Sequence, residues 1–406
     1  MRLLIMAVLA VVYLFKTYVA LLNHEHSKRP LPRRISGIYD RERYAKWLAY
    51  STEKNRLDLI QQAFNLVLLL ILLSGPFARL EQFAAGQTEH LILQTLLFLG
   101  VYQAIAILLG IPFDLYRTFS IEERHGFNRT APATFVRDLV LNIVLLAVLG
   151  GGLLAGVHAL YLKLANNLWI FIFAAWAVVA VVMLMIFVFL NRLVLRLFNK
   201  FTPLPEGTLR TRIEQLAASL GFNIKSISVM DASRRSTKLN AFFSGIGKTK
   251  EVVLYDTLLE KASEDEVLAV LAHELGHAVY RDTLRMALFQ IAAVGLYAAG
   301  VGLILQNAAL FTAFGLSGVH FGFAIVLFTV LFQPVQLVLN LPFVAMMRKA
   351  EYRADRFAAK HTNRSWLISA LKVLSRENLS NLNPHPLFVR LYYTHPPIND
   401  RIAALE

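Results

Sequence analysis

The sequence predicts a mainly α-helical, multi-pass membrane protein that carries a small α+β domain between its spans. Three observations favour this fold class. Of 406 residues, 56% are hydrophobic, and the mean hydropathy of +0.52 is too high for an ordinary soluble protein. The apolar residues form long runs, and the Lys and Arg residues behind the net charge of +14 lie between those runs. One charged segment also contains short β-type stretches.

Seven apolar runs are long enough to cross a membrane. They occupy residues 3–22, 59–80, 90–112, 139–163, 167–190, 284–306 and 318–346. A secretory signal peptide is the alternative for the first run, but the run is long for one and no small-residue cleavage site follows it. The expected division of the chain is spans one to five, a charged segment, spans six and seven, and a tail, at 1–190, 191–283, 284–346 and 347–406.

The distribution of positive charge predicts the orientation. Segments 23–58, 113–138, 191–283 and the tail are rich in Lys and Arg, whereas 81–89 and 307–317 contain neither. Because basic loops stay in the cytoplasm, we expect the N-terminus outside and the C-terminus inside. The same pattern makes the lipid bilayer the expected partner of this basic chain and excludes nucleic acid.

Polar side chains interrupt several spans. Interhelical hydrogen bonds can account for any one of them, and together they also fit a hydrated interior. A transporter or channel is therefore an alternative, although no span shows the paired broken helices of inverted repeats. The residues concerned are Gln61, Gln62, Gln94, Gln103, Asn142, His158, Gln290, Gln333, Gln336 and Asn340.

The stretch LAHELGHAVYRD holds two histidines four residues apart, His273 and His277, with Glu274 beside the first. On a helix both imidazoles share one face, a spacing that fits one zinc ion, and the glutamate can reach a water on that ion. Ser263 and Glu266 form the S-x-x-E pattern of a helix start. Because the chain has no cysteine, a catalytic zinc is favoured over a structural one. The alternative is a buried helix with a chance histidine pair.

The segment before this helix predicts a small sheet. TLRTRIEQLAASLG reads as an amphipathic helix that ends at Gly221, and IKSISVMD, LNAFFSG and EVVLYD read as strands. A free sheet edge can hold an extended peptide. The alternative for NAFFSG is an ordinary packed strand.

Two pairs of residues after the last span are further candidates. Glu351 and Asp355 are four apart on a probable helix, so Glu351 can complete a His₂Glu zinc site and Asp355 can orient a ligand imidazole. A solvated charged face explains them equally well. His395 and Arg401 in THPPINDRI can donate to a substrate, or they have a structural role in a Pro-rich turn.

The chain resembles the CAAX prenyl protease 1 family, the integral membrane zinc endopeptidases of type I. The resemblance spans nearly the whole length. It rests on the segments AYSTEKNRLDLI, PFDLYRTFSIEERHGFNRTAP, FNKFTPL, NAFFSG, VVLYDTLL, HELGH, EYRAD and THPP with the following Arg.

The resemblance implies seven transmembrane helices that enclose a water-filled chamber, with one zinc ion per chain at its cytoplasmic end. It implies three zinc ligands, His273, His277 and Glu351. It implies Glu274 as the catalytic base and Asp355 as the hydrogen-bond partner of a zinc histidine. It implies a substrate-binding strand at Asn240, Ala241 and Phe242, where Phe242 replaces the Tyr common in the family. It implies that His395 and Arg401 contact the substrate and the transition-state oxyanion.

The expected function is therefore that of a membrane zinc metalloendopeptidase acting on extended substrates that are prenylated or otherwise membrane-associated. A broad-specificity protease for membrane-protein quality control is the alternative. The compact loops and the terminal IAALE, which is not a retrieval signal, are expected of a member from a bacterial inner membrane.

Overall fold

The computed structural model of the chain describes residues 1–186, 191–244 and 249–406. The last residues of the predicted fifth span, 187–190, and Gly245 of NAFFSG lie outside the described residues.

The first half of the chain consists of helices, most of them long and apolar. A π-helical segment, Arg117–Glu122, extends the fourth helix, and another, Leu146–Gly150, joins the fifth to the sixth. The helices are α1 (Arg2–Ser27), α2 (Arg41–Ser74), α3 (Pro76–Gln87), α4 (Leu91–Tyr116), α5 (Pro132–Leu145), α6 (Gly151–Leu164) and α7 (Leu168–Met185).

The second half combines a small sheet with further helices, two of which bear the candidate metal ligands. Its first part comprises α8 (Asn191–Phe198), β1 (Phe201–Pro203), α9 (Thr208–Ser219), β2 (Asn223–Met230), β3 (Ala241–Ser244), β4 (Thr249–Tyr255), α10 (Asp256–Lys261) and α11 (Glu264–Val279). Its second part comprises α12 (Asp282–Leu305), α13 (Ala308–Thr312), α14 (Phe321–Leu331), α15 (Gln333–His361), α16 (Arg364–Glu377), α17 (Pro386–Tyr392) and α18 (Ile398–Leu405).

The helical membrane fold is confirmed. Among the described residues, six helices are long and apolar enough to cross a membrane, or seven if α14 and α15 form one bent span. Their outward side chains include Leu3 and Trp169, which are 77% and 71% exposed. Such exposed apolar surface suits lipid rather than water.

One predicted span boundary is wrong, and the run predicted as the seventh span is bent. The second span does not continue to residue 80, because α2 ends at Ser74 and Pro76 begins α3 after Gly75. The seventh is not one straight helix, because α14 and α15 meet at Phe332 with a bend of 60°. Pro334, in the first turn of α15, cannot donate a backbone hydrogen bond to a continuous helix, which accounts for the break.

Among the described residues, two large hydrophobic cores are accompanied by one small cluster around Met230, Ala232 and Val253. One large core packs membrane helices around aromatic side chains such as Phe77, Phe98 and Phe323. The other unites the sheet with α9, α11 and α16, and it also takes in Trp47 and Phe127 from the membrane half of the sequence. Segments between the spans therefore help to build the core that supports the candidate site.

The four-stranded sheet has the order β1-β2-β4-β3. Its outer pairs are antiparallel, and β2 and β4 are parallel. The predicted strands and the helix α9 are confirmed, and Gly221 follows that helix with a φ of 76°. β3 is thus an edge strand, and it packs beside α11.

Charged contacts from the membrane half fix the segment that leads into β3. Arg235 makes a two-pronged ion pair with Asp138 of α5, at 2.8 and 3.1 Å. Glu122 accepts a hydrogen bond from the Tyr50 hydroxyl at 2.7 Å and faces the Lys238 ammonium at 3.3 Å. The segment just before the edge strand is therefore held against the membrane half at both positions.

Candidate metal centre

The helix α11 begins at a complete capping box. The Ser263 hydroxyl accepts from the Glu266 backbone N–H, and the Glu266 carboxylate accepts from the Ser263 backbone N–H at 2.8 Å. Two backbone donors that a helix start leaves free are thereby satisfied. The cap predicted from the sequence is confirmed.

A glycine lets α11 approach α15 closely. A Cβ on Gly276 would lie 3.1 Å from the Ala354 Cα and 3.2 Å from the Phe357 ring. At this crossing, the face of α11 with His273 and His277 meets the turn of α15 with Glu351. The absence of a side chain at position 276 therefore sets the distance between the candidate ligands.

Three ligand atoms converge at this crossing. The Nε2 atoms of His273 and His277 are 3.2 Å apart, and the two Glu351 oxygens lie 3.4 and 3.3 Å from them. Ligands at about 2.0–2.1 Å around a tetrahedral zinc ion are separated by roughly 3.3 Å. The buried Glu351 Oε2 has no hydrogen-bond partner among the described residues. A cation held by the three residues would explain both observations, so the donor set fits a metal.

His273 is held by a buried carboxylate. Its Nδ1 lies 2.9 Å from Asp355 Oδ1, and Asp355, 1% exposed, accepts hydrogen bonds from Arg401 at 2.6 and 2.8 Å. A hydrogen bond at Nδ1 leaves Nε2 free for a metal. Burial lowers the pKa of His273, but the Asp355 and Glu351 carboxylates outweigh it and raise that pKa to about 9. A metal must therefore displace a proton here.

His277 has a carboxylate partner that the sequence analysis did not identify. Its Nδ1 lies 3.1 Å from Oδ2 of Asp282, the first residue of α12, and Asp282 also pairs with Arg353 and Arg285. Asp282 is 3% exposed. The available signal was an aspartate five residues after the second histidine. Both histidines thus have the carboxylate contact typical of metal ligands.

Glu274 shares the turn of His273 and is partly buried. Among the described residues, no hydrogen bond reaches its carboxylate. Burial raises the pKa of the Glu274 carboxyl, an effect that the two neighbouring histidines oppose. A carboxylate with a raised pKa and free lone pairs is suited to accept a proton from water.

His395 approaches the cluster from the loop after α17. Its Nε2 is 3.4 Å from Glu351 Oε1, yet its side chain is 62% exposed. Arg348 fixes this loop by donating to the Val389 and Tyr393 carbonyls, both at 2.8 Å. Arg401 differs, since its guanidinium is mostly buried and bonded to Asp355. His395 is therefore the accessible donor of the predicted pair.

The three predicted substrate-binding residues lie at the sheet edge. The Asn240 carbonyl accepts from Tyr255 N–H, Ala241 pairs with Leu254, and the Phe242 ring packs edge-on against Tyr255. Because β3 ends the sheet order, its second edge pairs with no strand of the described residues. The structure brings the other seven predicted site residues into one cluster and puts these three on the strand beside α11.

A cavity of about 460 Å³ lies among the spans. Its wall contains two of the polar residues that the sequence analysis singled out, Gln62 and Gln333, together with Lys16 and Asn65. Apolar side chains complete the wall.

Comparison with known proteins identifies the family. Residues 21–200 match the CAAX prenyl protease N-terminal region with five membrane helices, and residues 203–406 match peptidase family M48. The CAAX prenyl protease 1 homolog of Oryza sativa subsp. japonica is 34% identical over 99% of this chain and 96% of its own length. The Homo sapiens homolog is 31% identical over 97% and 93%.

A solved structure agrees over the full length. The crystal structure of S. mikatae Ste24p has a TM-score of 0.94 and 27% identity, and the match covers 100% of this chain and 99% of that one. The fold, the two matched regions and the His₂Glu cluster lead to the same assignment. The chain belongs to the CAAX prenyl protease 1 family within peptidase family M48, and it is a multi-pass membrane metalloendopeptidase.

Proposed function

We propose that the metal is zinc, one ion per chain, and that the enzyme cleaves extended, membrane-associated substrates of the C-a-a-X type near their C-termini. The observation that carries this proposal is the convergence of His273, His277 and Glu351, whose ligand atoms all lie within 4.8 Å of one another, with Glu274 free beside them. Nitrogen and carboxylate ligands in a set of three, without thiolate, suit a catalytic zinc site. The substrate class follows from the names of the curated relatives, which are CAAX prenyl proteases.

The proposed roles of the first residues follow from their surroundings. His273, His277 and Glu351 hold zinc, which when bound supplies a Lewis acid and lowers the pKa of water. Glu274 takes a proton from the attacking water and returns it to the leaving amine, because its carboxylate is unpaired and adjacent. Asp355 fixes the His273 ring.

The substrate lies as an extra strand along β3. Main-chain hydrogen bonds to Asn240 and Ala241 would bind peptides of many sequences, with Phe242 as an apolar contact. His395 is exposed and 3.4 Å from a ligand oxygen, so it donates to the developing oxyanion. Arg401 holds Asp355 in place, and its Nη1, 3.6 Å from Glu351, adds positive charge near the same point.

We further infer that the metal centre faces the cytoplasm and that the N-terminus lies outside. The basic segments 23–58 and 113–138 both contact the catalytic half, through Arg43 to Glu377 and Glu122 to Lys238. Shared contacts support placing these loops on one side, where positive charge is retained. Reporter fusions at Lys261 and the C-terminus should report the cytoplasm, and one at Asn307 the outside. A cytoplasmic signal at Asn307 would contradict this topology. The compact loops support the inner membrane of a bacterium as the membrane concerned.

The decisive experiment compares Glu274→Gln with Glu260→Gln, the same chemical change at an exposed position of α10 that is not in the site. Both should retain zinc, but only Glu274→Gln should lose at least ~10³-fold in turnover, because proton transfer depends on that carboxylate. Near-normal cleavage by Glu274→Gln would refute the mechanism.

The substrate is tested with the wild-type enzyme. A prenylated C-a-a-X peptide should be cut faster than the unprenylated peptide of the same sequence. If neither is cut while an unfolded membrane protein is degraded, the zinc mechanism stands and a quality-control protease replaces the C-a-a-X assignment.

A further inference from the structure

A second cavity lies beside the metal centre, between α12 and α15. It has a volume of about 410 Å³ and is bounded by the first turns of α12 and the middle of α15. We call it the α12–α15 crevice. One wall contains Asp282, the carboxylate that contacts His277, but none of the three metal ligands lines it.

The crevice contains more positive than negative charge. Arg285, Lys349 and Arg353 line it together with a single carboxylate, Asp282. Asp282 already contacts His277 Nδ1 and forms ion pairs with both arginines. The buried Arg353 Nε lacks a hydrogen-bond partner in the described part of the chain, and so does the exposed Lys349 ammonium. Two positive charges and several N–H donors therefore remain for an anion.

The rest of the crevice is apolar. Its wall includes Met286, Met346, Met347 and Pro342. Methionine side chains are flexible and polarizable, so they adapt to ligands of irregular shape. Leu284 and Leu288 of α12, which do not line the crevice, are 49% and 58% exposed and present apolar surface beside it. An occupant would thus meet cations at one end and hydrocarbon at the other.

We propose that the α12–α15 crevice binds an anionic phospholipid, with the phosphate between Arg285, Lys349 and Arg353 and an acyl chain against the methionines. Arginine donors match phosphate oxygens in pairs, and basic crevices at the ends of membrane helices attract anionic headgroups. α12 is an apolar helix long enough to span the membrane, so its first turns lie where headgroups are found.

A soluble phosphate compound shares the headgroup chemistry but not the hydrocarbon. It would use the three cations and leave the methionine wall without a ligand. The apolar lining and the exposed leucines therefore favour the lipid, and the two sources can be separated by experiment.

The test uses the purified full-length protein and counts retained phosphatidylglycerol by native mass spectrometry, with phosphatidylcholine, a zwitterion of zero net charge, as the comparison. The double variant Arg285→Gln/Lys349→Gln should weaken phosphatidylglycerol binding roughly 30-fold, since each cation near an anionic lipid contributes about a factor of five. The matched control is Lys360→Gln/Lys372→Gln, which removes two exposed lysines outside the crevice and should bind as wild type. Arg353 is left unchanged because its contact with Asp282 is closer than the 3.5 Å contact made by Arg285.

A second variant keeps every charge. Ala345→Trp places a large side chain in the crevice, so it should reduce lipid retention while the protein keeps its metal. Equal lipid binding by the double variant and its control would overturn the proposal, as would equal retention of the two lipids. If inorganic phosphate alone raises the melting temperature as much as phosphatidylglycerol does, the site takes a soluble anion and the lipid assignment fails.

Discussion

The two sides of the metal centre use the same chemistry in different surroundings. On the first side His273 contacts Asp355, which Arg401 of α18 holds in a buried, two-pronged pair. On the second side His277 contacts Asp282, whose arginines, Arg353 and Arg285, have side chains 30% and 53% exposed. The Arg–Asp–His arrangement thus occurs twice, once buried under α18 and once at the edge of the α12–α15 crevice.

The difference in burial of the two arginine–aspartate contacts predicts different roles for them. A charge pair without access to water must stay intact, because loss of one partner leaves an unpaired buried charge. A pair with solvent beside it can rearrange at little cost. We expect the His273 side to fix the fold around the metal, and the His277 side to be the one that a bound anion in the crevice can influence.

The largest effect should follow from removing the ligand that both sides share. Glu351 lies 3.4 Å from one ligand nitrogen and 3.3 Å from the other. Glu351→Ala should reduce zinc from about one ion per chain to nearly none, because two imidazoles alone hold it weakly. Elemental analysis by mass spectrometry measures this, with Glu260→Gln as the control. Full zinc occupancy in Glu351→Ala would remove this residue from the site.

The next effect compares the two carboxylates directly. Asp355→Asn and Asp282→Asn should each lower zinc affinity about 10- to 100-fold, because each frees one histidine ring from its partner. Only Asp355→Asn should also destabilise the fold by about 3–5 kcal/mol, since it removes the close carboxylate partner of the buried Arg401 and leaves only the 3.6 Å contact with Glu351. The arginines of Asp282 can turn to water instead.

Two measurements separate these outcomes. Chelator titration reports zinc affinity, and denaturant unfolding of the metal-free protein reports stability. Equal destabilisation by the two variants would show that the sides do not differ in the way described here.

A smaller effect, on both histidines together, is expected from a change at the crossing of α11 and α15. Gly276→Ala adds a methyl group 3.1 Å from the Ala354 Cα and must push α11 away from α15. Overpacking of this kind costs about 1–3 kcal/mol, and it should weaken zinc binding by moving Glu351 from both histidines. The matched control is Gly86→Ala, where a Cβ meets nothing within 4 Å. Unchanged zinc affinity in Gly276→Ala would mean that the helix crossing does not set the ligand distances.

The ligand helix was predictable because its information is local. The residues concerned lie within one turn and a half of one helix, at His273, Glu274 and His277. The cap of that helix, Ser263 with Glu266, could also be predicted from a short sequence pattern. Asp355 and Arg401 are distant from the histidines in the sequence, which offered them only as candidates with structural alternatives, and the resemblance to a family implied their roles. Their contact requires the C-terminal helix to close on α15.

Asp282 was missed although it follows His277 by only five residues. It lies beyond a break in the helix, where Arg281 adopts a φ of 53° and turns the start of α12 back toward the histidine. No glycine marks that left-handed position, so the turn has no sequence signal. The bend between α14 and α15 was missed for a related reason, since apolar composition alone does not show where a span changes direction.

The smallest effect is expected from a change at the start of α11, which should lower stability without altering either histidine–carboxylate contact. Ser263→Ala removes the hydroxyl that accepts the Glu266 N–H at the start of α11, ten residues before His273. Loss of such a cap costs about 1 kcal/mol, because one backbone donor loses its partner. The other half of the box, the 2.8 Å bond from the Ser263 backbone N–H to the Glu266 carboxylate, does not use the serine hydroxyl and persists. Denaturant unfolding should therefore show the loss.

Zinc affinity, by contrast, should stay within about twofold of wild type, since the ligand turn and its two carboxylate partners lie at the other end of the helix. Ser263→Asp restores an acceptor and should recover the stability. If Ser263→Ala instead weakens zinc binding as much as Gly276→Ala does, α11 transmits strain along its length. The two sides of the site would then be coupled through the helix rather than held separately by Asp355 and Asp282.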